Sequence, residues 1–174
     1  FTINEVLEYS LWQASIDVEP GTAQGKMIFS FKPYLEMQGF KSFTEYKTAE
    51  YKYADEKLEN IDISKYKIGP IKVRLYAFHR TPKVLKMLNM KKDVLTNYLD
   101  ENGGVRVYRS GQRIYNYGSR DEDWLGLNLK RLNNPSKNLS KNIIIGIIDL
   151  DATKSTDLIE KTNREGFIEN AAFI

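Results

Sequence analysis

The chain has 174 residues, 41% of them hydrophobic, with 26 Lys and Arg against 23 Asp and Glu, a formal net charge of +3 and no cysteine. No apolar run approaches the roughly 20 residues that cross a bilayer. Disulfides, thiolate metal sites and iron–sulfur clusters are excluded, and the single His79 excludes a multi-histidine metal site, leaving carboxylate-dominated metal binding.

The charge balance is too even to announce a nucleic-acid binder, which needs a concentrated basic face. At this length one domain, or two small ones, can bury a core. The chain opens at Phe1 with no targeting signal and reads as a cytoplasmic piece of something longer.

Residues 1–20 carry Val6, Leu7, Leu11, Trp12 and Ile16 at mixed helical spacing before Pro20-Gly21, predicting a helix or linker. From Lys26 to Tyr34, Met27, Phe29 and Phe31 alternate with Ile28, Ser30 and Lys32, a strand with one aromatic face. Residues 41–67 mix tyrosines and lysines without a period and read as a partly ordered connection. After Gly69-Pro70, Ile71–Ala77 alternates like a half-buried strand.

Pro82 opens a helix that carries Leu85, Leu88, Val94, Leu95, Tyr98 and Leu99, with a kink or break near Met90, until Gly103-Gly104 stops it. Val105–Arg109 and Gln112–Tyr117 flank Ser110-Gly111 as a hairpin. Trp124 to Asn142 predicts a short helix or loop, Ile143–Leu150 a strand interrupted by Gly146, and Arg164–Phe173 a last helix capped by Thr162 or Asn163. This order predicts an α+β fold: a mixed or antiparallel sheet with helices on one face.

Few residues announce chemistry. The glycines build no phosphate cradle and read as turn residues. Asp121, Glu122 and Asp123 could ligate Mg²⁺ or act as an acid–base pair, but consecutive side chains diverge and a solvated loop or helix cap is the simpler reading. Asp149 and Asp151 alternate onto one face of a strand end with too few oxygens for a metal. His79, at a strand end, reads as a structural hydrogen-bonding group.

Lys130, Arg131, Lys137 and Lys141 form a run without an acid, either a solvated face or, with Tyr115 and Tyr117, a nucleic-acid contact. The sharpest segment is Lys161-Thr162-Asn163-Arg164-Glu165-Gly166. An arginine at a helix N-terminus adds a bidentate donor to free backbone N–H groups, which suits a terminal phosphate. Its bland counterpart is a surface pair of Arg164 with Glu165 or Glu169.

Read together, Ile68-Gly69-Pro70, the run Gly104-Val105-Arg106-Val107-Tyr108-Arg109-Ser110-Gly111, Asp123-Trp124-Leu125-Gly126-Leu127, Ile145-Gly146-Ile147-Ile148 and Thr162-Asn163-Arg164-Glu165-Gly166-Phe167-Ile168-Glu169-Asn170 resemble bacterial ATP-binding proteins. These belong to the superfamily of gyrase B, heat-shock chaperones, histidine kinases and mismatch-repair ATPases. The resemblance covers residues 68–174 and implies a middle, or transducer, domain of the ribosomal-protein-S5-like α+β fold (S5 domain 2-like). Residues 1–67 then form an N-terminal linker or partial-domain segment with an aromatic strand.

The resemblance further implies that a basic side chain reaches the γ-phosphate of ATP held, with Mg²⁺, by an N-terminal ATPase domain of the same protein. Arg164 corresponds to that donor, with Asn163 and Lys161 sharing or orienting the phosphate, and Lys154 behind them. The spacing departs from the chaperone pattern by one missing residue. Ile168-Glu169-Asn170-Ala171-Ala172 only mimics the superfamily's Mg²⁺-binding helix, so this chain is expected neither to bind ATP well nor to hydrolyse it alone. A homodimer, and nucleic-acid or protein interaction without catalysis, stay open.

Overall fold

The computed structural model describes residues 2–21, 24–32, 41–50, 63–87, 92–135 and 138–173. Among these residues four α-helices and seven strands follow in the order α1 (Ile3–Glu8), β1 (Trp12–Val18), β2 (Gln24–Phe31), β3 (Phe43–Glu50), β4 (Ile71–Ala77), α2 (Pro82–Met87), α3 (Lys92–Asn102), β5 (Gly104–Arg109), β6 (Gln112–Ile114), α4 (Leu127–Asn133) and β7 (Ile144–Leu150). The strands form one sheet in the order β3-β2-β1-β4-β7-β5-β6. Every neighbouring pair is antiparallel except β5 with β7, so the fold is α+β with a mixed, mostly antiparallel open sheet.

The opening segment divides into two elements. Thr2 caps α1 through its side chain while the Glu5 carboxylate accepts the Thr2 N–H, a capping box, and Val6 is fully buried. Beyond it, Trp12, Ala14, Ile16 and Val18 alternate with Gln13, Ser15 and Asp17 along β1, which pairs with β4 over seven positions. The apparent helical spacing of residues 1–20 was the sum of a short helix and a strand. Segments 1–67 and 68–174 are thus joined by a continuous ladder.

Residues 41–67, expected as a connection, contain β3 and a 3-10 turn at Ile63–Lys65. Phe43 to Lys47 is exposed throughout, so no apolar period marks this outer strand. The long helix expected from Pro82 is two, α2 and α3; Met90, where a break was expected, lies outside the described residues, as does Tyr34. The hairpin is present but shorter than expected, with Ser110 (φ 48°) and Gly111 (φ 80°) both left-handed as a two-residue primed turn requires. At Gly146 a Cβ would come within 2.7 Å of Leu75 Cδ2 and 2.8 Å of Val105 Cγ2, so the strand interruption is a close packing point.

Both sheet faces bury side chains. On one, Val6, Leu85, Leu95 and Leu99 from α1, α2 and α3 pack with Phe78 and Ile145. On the other, Val107, Ile114 and Leu150 pack with Leu158 and Phe167 from the C-terminal segment. Ile145 and Leu150 lie five positions apart in β7 and therefore on opposite faces. The chain after β7 is what closes the second core.

That segment holds no helix: the expected helix at Arg164–Phe173 is a series of turns with one bridge between Glu160 and Phe167. Arg164 (φ 59°) and Gly166 (φ 104°) are left-handed, which interrupts any helix there.

Candidate functional site: a basic turn anchored on the sheet

After β7 the Asp151 carboxylate accepts from Thr153 N, Thr153 Oγ1 and Lys154 N at 2.9, 2.6 and 3.2 Å. These bonds, the Thr153 hydroxyl first, hold its pKa below the usual aspartate value. Asp151 thus shapes a turn, while Asp149 sits in β7.

The chain then latches onto the start of β4. Buried Ser155 Oγ accepts from Gly69 N at 3.0 Å, and Asp157 Oδ2 accepts from Lys67 N at 2.7 Å. From β5, Arg109 Nη2 donates to Ala152 O and Ser155 O, 3.2 Å each, with Glu160 Oε2 3.9 Å from Nη1.

Residues 161–166 form the tip, exposed from Lys161 to Glu165 and buried at Gly166. Lys161 N donates to Gly166 O at 2.9 Å and Arg164 N to Lys161 O at 2.8 Å. Asn163 Oδ1 accepts from Glu165 N at 3.1 Å while Asn163 Nδ2 donates to Glu165 Oε2 at 2.6 Å. The tip is fixed from the far side by the turn after β6: Tyr115 N donates to Arg164 O at 3.0 Å, Asn116 Nδ2 to Glu165 O at 3.4 Å, and Phe167 N to Tyr117 Oη at 3.2 Å. Phe167 is buried, and its ring lies 6.0 Å from that of Tyr117.

Arg164 is therefore not at a helix N-terminus, and no row of helix N–H groups accompanies it. Its surface pair with Glu165 or Glu169 is also not formed: among the described residues its guanidinium has no carboxylate partner, and Glu165 is engaged by Asn163. Arg164 and Lys161 stand exposed on one anchored tip, with the Asn163 amide committed inside it. Lys154 is exposed on the earlier turn. Asn170 caps the chain end, accepting from Ala172 N and Phe173 N and donating to Asp157 O at 2.8 Å.

The other basic run is partly committed to structure. Lys141 Nζ donates to Ser119 O (3.2 Å), Glu122 O (2.8 Å) and Arg120 O, so its ammonium holds the 119–122 turn. Arg131 donates to Asn138 O at 3.2 Å, Lys130 is exposed on α4, and Lys137 lies outside the described residues. Asp123 caps α4, accepting from Leu127 N and Asn128 N at 2.9 and 2.8 Å, and His79 Nδ1 meets Thr81 Oγ1 at 3.1 Å. Among the described residues no group of three His, Asp or Glu side chains converges to hold a metal ion.

Sequence reasoning gave no site role to Arg109 and Ser155, which hold the turn after β7, and offered Tyr117 only as a nucleic-acid contact, whereas its hydroxyl accepts from Phe167 N beside the tip. Only Trp124 carried a signal, a large indole needing a partner for its N–H, and Nε1 donates to Val105 O at 2.8 Å. No family model, curated protein or solved structure matches this chain. Among the described residues no helix is long and apolar enough to cross a membrane.

Proposed function

We propose that this chain is the transducer-like middle portion of a cytoplasmic bacterial ATPase of the gyrase, chaperone, histidine kinase and mismatch-repair kind, and that its 161–166 tip carries a cation to the γ-phosphate of ATP bound by an N-terminal domain. Residues 68–174 form the S5-like unit in this reading. In this reading ATP and Mg²⁺ are held by the ATPase domain, and this chain supplies Arg164, with Lys161 beside it and Asn163 setting the turn.

The observation that carries the reading is the conformation of Arg164. A side chain other than glycine in the left-handed region costs roughly 1–2 kcal/mol, and such residues persist where surrounding structure over-determines them, often at functional positions. Here the surroundings do so: the Arg164 carbonyl is held by Tyr115, its amide by Lys161, and its guanidinium has no acidic partner among the described residues. An arginine aimed at a transferring phosphoryl group stabilises the charge spread over its oxygens.

The test is steady-state ATP hydrolysis by the N-terminal ATPase region, with and without this chain. Stimulation by the natural chain that falls about 10²–10³-fold with Arg164→Ala is the expected result, on the scale of losing one preorganised donor. Stimulation that survives Arg164→Ala would remove the phosphate role. No stimulation, with steeply salt-dependent binding to DNA or RNA instead, would favour a nucleic-acid module.

A further inference from the structure

The outermost strand, β3, is an unusual edge. It pairs with β2 through eight consecutive positions without a bulge, and among the described residues nothing pairs with its far side. Residues 41–47 are all exposed, Tyr46 at 78% and Phe43 at 45%. Edge strands are ordinarily protected against further pairing by shortness, bulges, proline or unopposed lysine charge. Between Phe43 and Lys47 the charges are Glu45 and Lys47, and they neutralise each other at 2.6 Å.

We infer that β3 pairs with the β3 of a second copy of this chain, antiparallel about a two-fold axis through Tyr46. Residues opposite one another in an antiparallel pair share a face. A register centred on a residue therefore continues each sheet face into the same face of the copy, whereas one centred between residues joins unlike faces.

The face bearing Phe43, Glu45 and Lys47 is the aromatic one: Phe43 lies 6.0 Å from Phe29 and 5.6 Å from Phe31, and Phe31 lies 5.5 Å from Trp12, ring centre to ring centre. Continuity of that face selects the residue-centred registers, and strand overlap and charge then select among them: centring on Phe43 also sets Glu45 against a lysine, Lys41, but overlaps the two strands least, whereas centring on Tyr46 or Lys47 overlaps them most. Centring on Tyr46 sets Glu45 against Lys47 of the copy, twice. Centring on Glu45 or Lys47 sets like against like, and centring on Thr44 sets Lys47 against Lys41.

The same charges give a test by exchange, with the full chain followed by sedimentation. Lys47→Glu and Glu45→Lys each place like charges opposite in the selected register, and each should dimerise about tenfold or more weakly than the natural chain, since each attractive pair becomes a repulsive one. Mixing the two variants should restore dimers as a heterodimer, and the double exchange should restore the homodimer. These side chains are exposed, so folding is not at stake.

A second measurement uses the absence of cysteine. Facing residues in an antiparallel pair have Cα atoms about 4.5–5.5 Å apart, within the roughly 4.4–6.8 Å of a disulfide. Oxidised Tyr46→Cys should therefore form a covalent dimer. Thr44→Cys, some four residues or about 13 Å from its copy, should not. A chain that stays monomeric throughout, a dimer indifferent to the exchanges, or equal cross-linking at both positions would overturn the inference.

Discussion

Ser155→Ala tests the latch that holds the C-terminal segment on the sheet. The Ser155 side chain is fully buried, and its Oγ is the partner for the N–H of buried Gly69 at 3.0 Å. Removing it leaves a buried donor unmatched, which costs about 1–3 kcal/mol. For a chain of this size each kcal/mol lowers Tm by about 2–4 °C, so the expected drop is about 2–12 °C.

The Gly69 N–H is not free to turn towards another acceptor, because a Cβ at Gly69 would already sit only 3.0 Å from Lys154 C and 3.2 Å from its Cα; the two backbones are packed directly against each other. Urea denaturation of the variant, beside Thr156→Ala at the exposed neighbouring position, separates burial from composition. Thr156→Ala should stay within about 0.5 kcal/mol. A Ser155→Ala loss below about 0.5 kcal/mol, or equal effects at both positions, would refute the latch.

Gly118→Ala should cost about 3 kcal/mol or more in the same assay, combining left-handed strain (φ 69°) with a Cβ placed 2.6 Å from Val105 C in the strand backbone. Gly111→Ala, equally left-handed (φ 80°) but with nothing within 4 Å, should cost only about 1 kcal/mol. Arg80 binds Asp100 through two bonds of 2.8 and 3.2 Å, which hold the Asp100 pKa below its ordinary 3.8.

Because the folded pKa is the lower one, the stabilisation is complete above the unfolded value and disappears as pH falls from about there through the folded value. It should amount to less than about 1 kcal/mol for so exposed a pair, and Asp100→Asn should remove that share of the acid sensitivity in pH-dependent melts. Arg164→Gly should match or exceed the natural chain in stability, by about 0.5–1 kcal/mol as left-handed strain is relieved against added chain entropy. Stimulation of ATP hydrolysis should nonetheless be lost.

Elements whose pattern is local were readable in the sequence. β4 and the hairpin alternate between turn residues, and β7 is a continuous apolar, β-branched run buried on both faces, so each is placed to within a few residues. What was hidden is instructive in β1 and β3. Trp12, Ala14, Ile16 and Val18 do alternate, but Val6, Leu7 and Leu11 precede them closely enough to blur a helix into a strand. Phe43 to Lys47 shows no burial contrast because the strand is exposed on both sides, so the pattern that marks strands had nothing to act on. Pairing with β2 fixes it, and that is a long-range property.

The C-terminal tip shows the same limit at the level of function. Asn163 followed by Arg164 and Glu165 looks like a capped helix start, since an Asn side chain accepting a nearby backbone N–H serves equally for a cap or an Asx turn. The backbone choice was made by residues about 50 positions away: Tyr117 Oη takes the Phe167 N–H and Tyr115 takes the Arg164 carbonyl, while Phe167 is drawn into the core beneath the sheet. A helix would have sent Phe167 and Arg164 to neighbouring sides of one cylinder; the turn instead buries the first and extends the second. Tyr117→Phe removes one hydrogen bond, a loss of about 1 kcal/mol, and keeps the ring packing. If the turn's geometry aims the guanidinium, ATPase stimulation should fall more in this variant than the small loss of stability would account for; a fall in proportion to the unfolded fraction alone would assign Tyr117 to stability only.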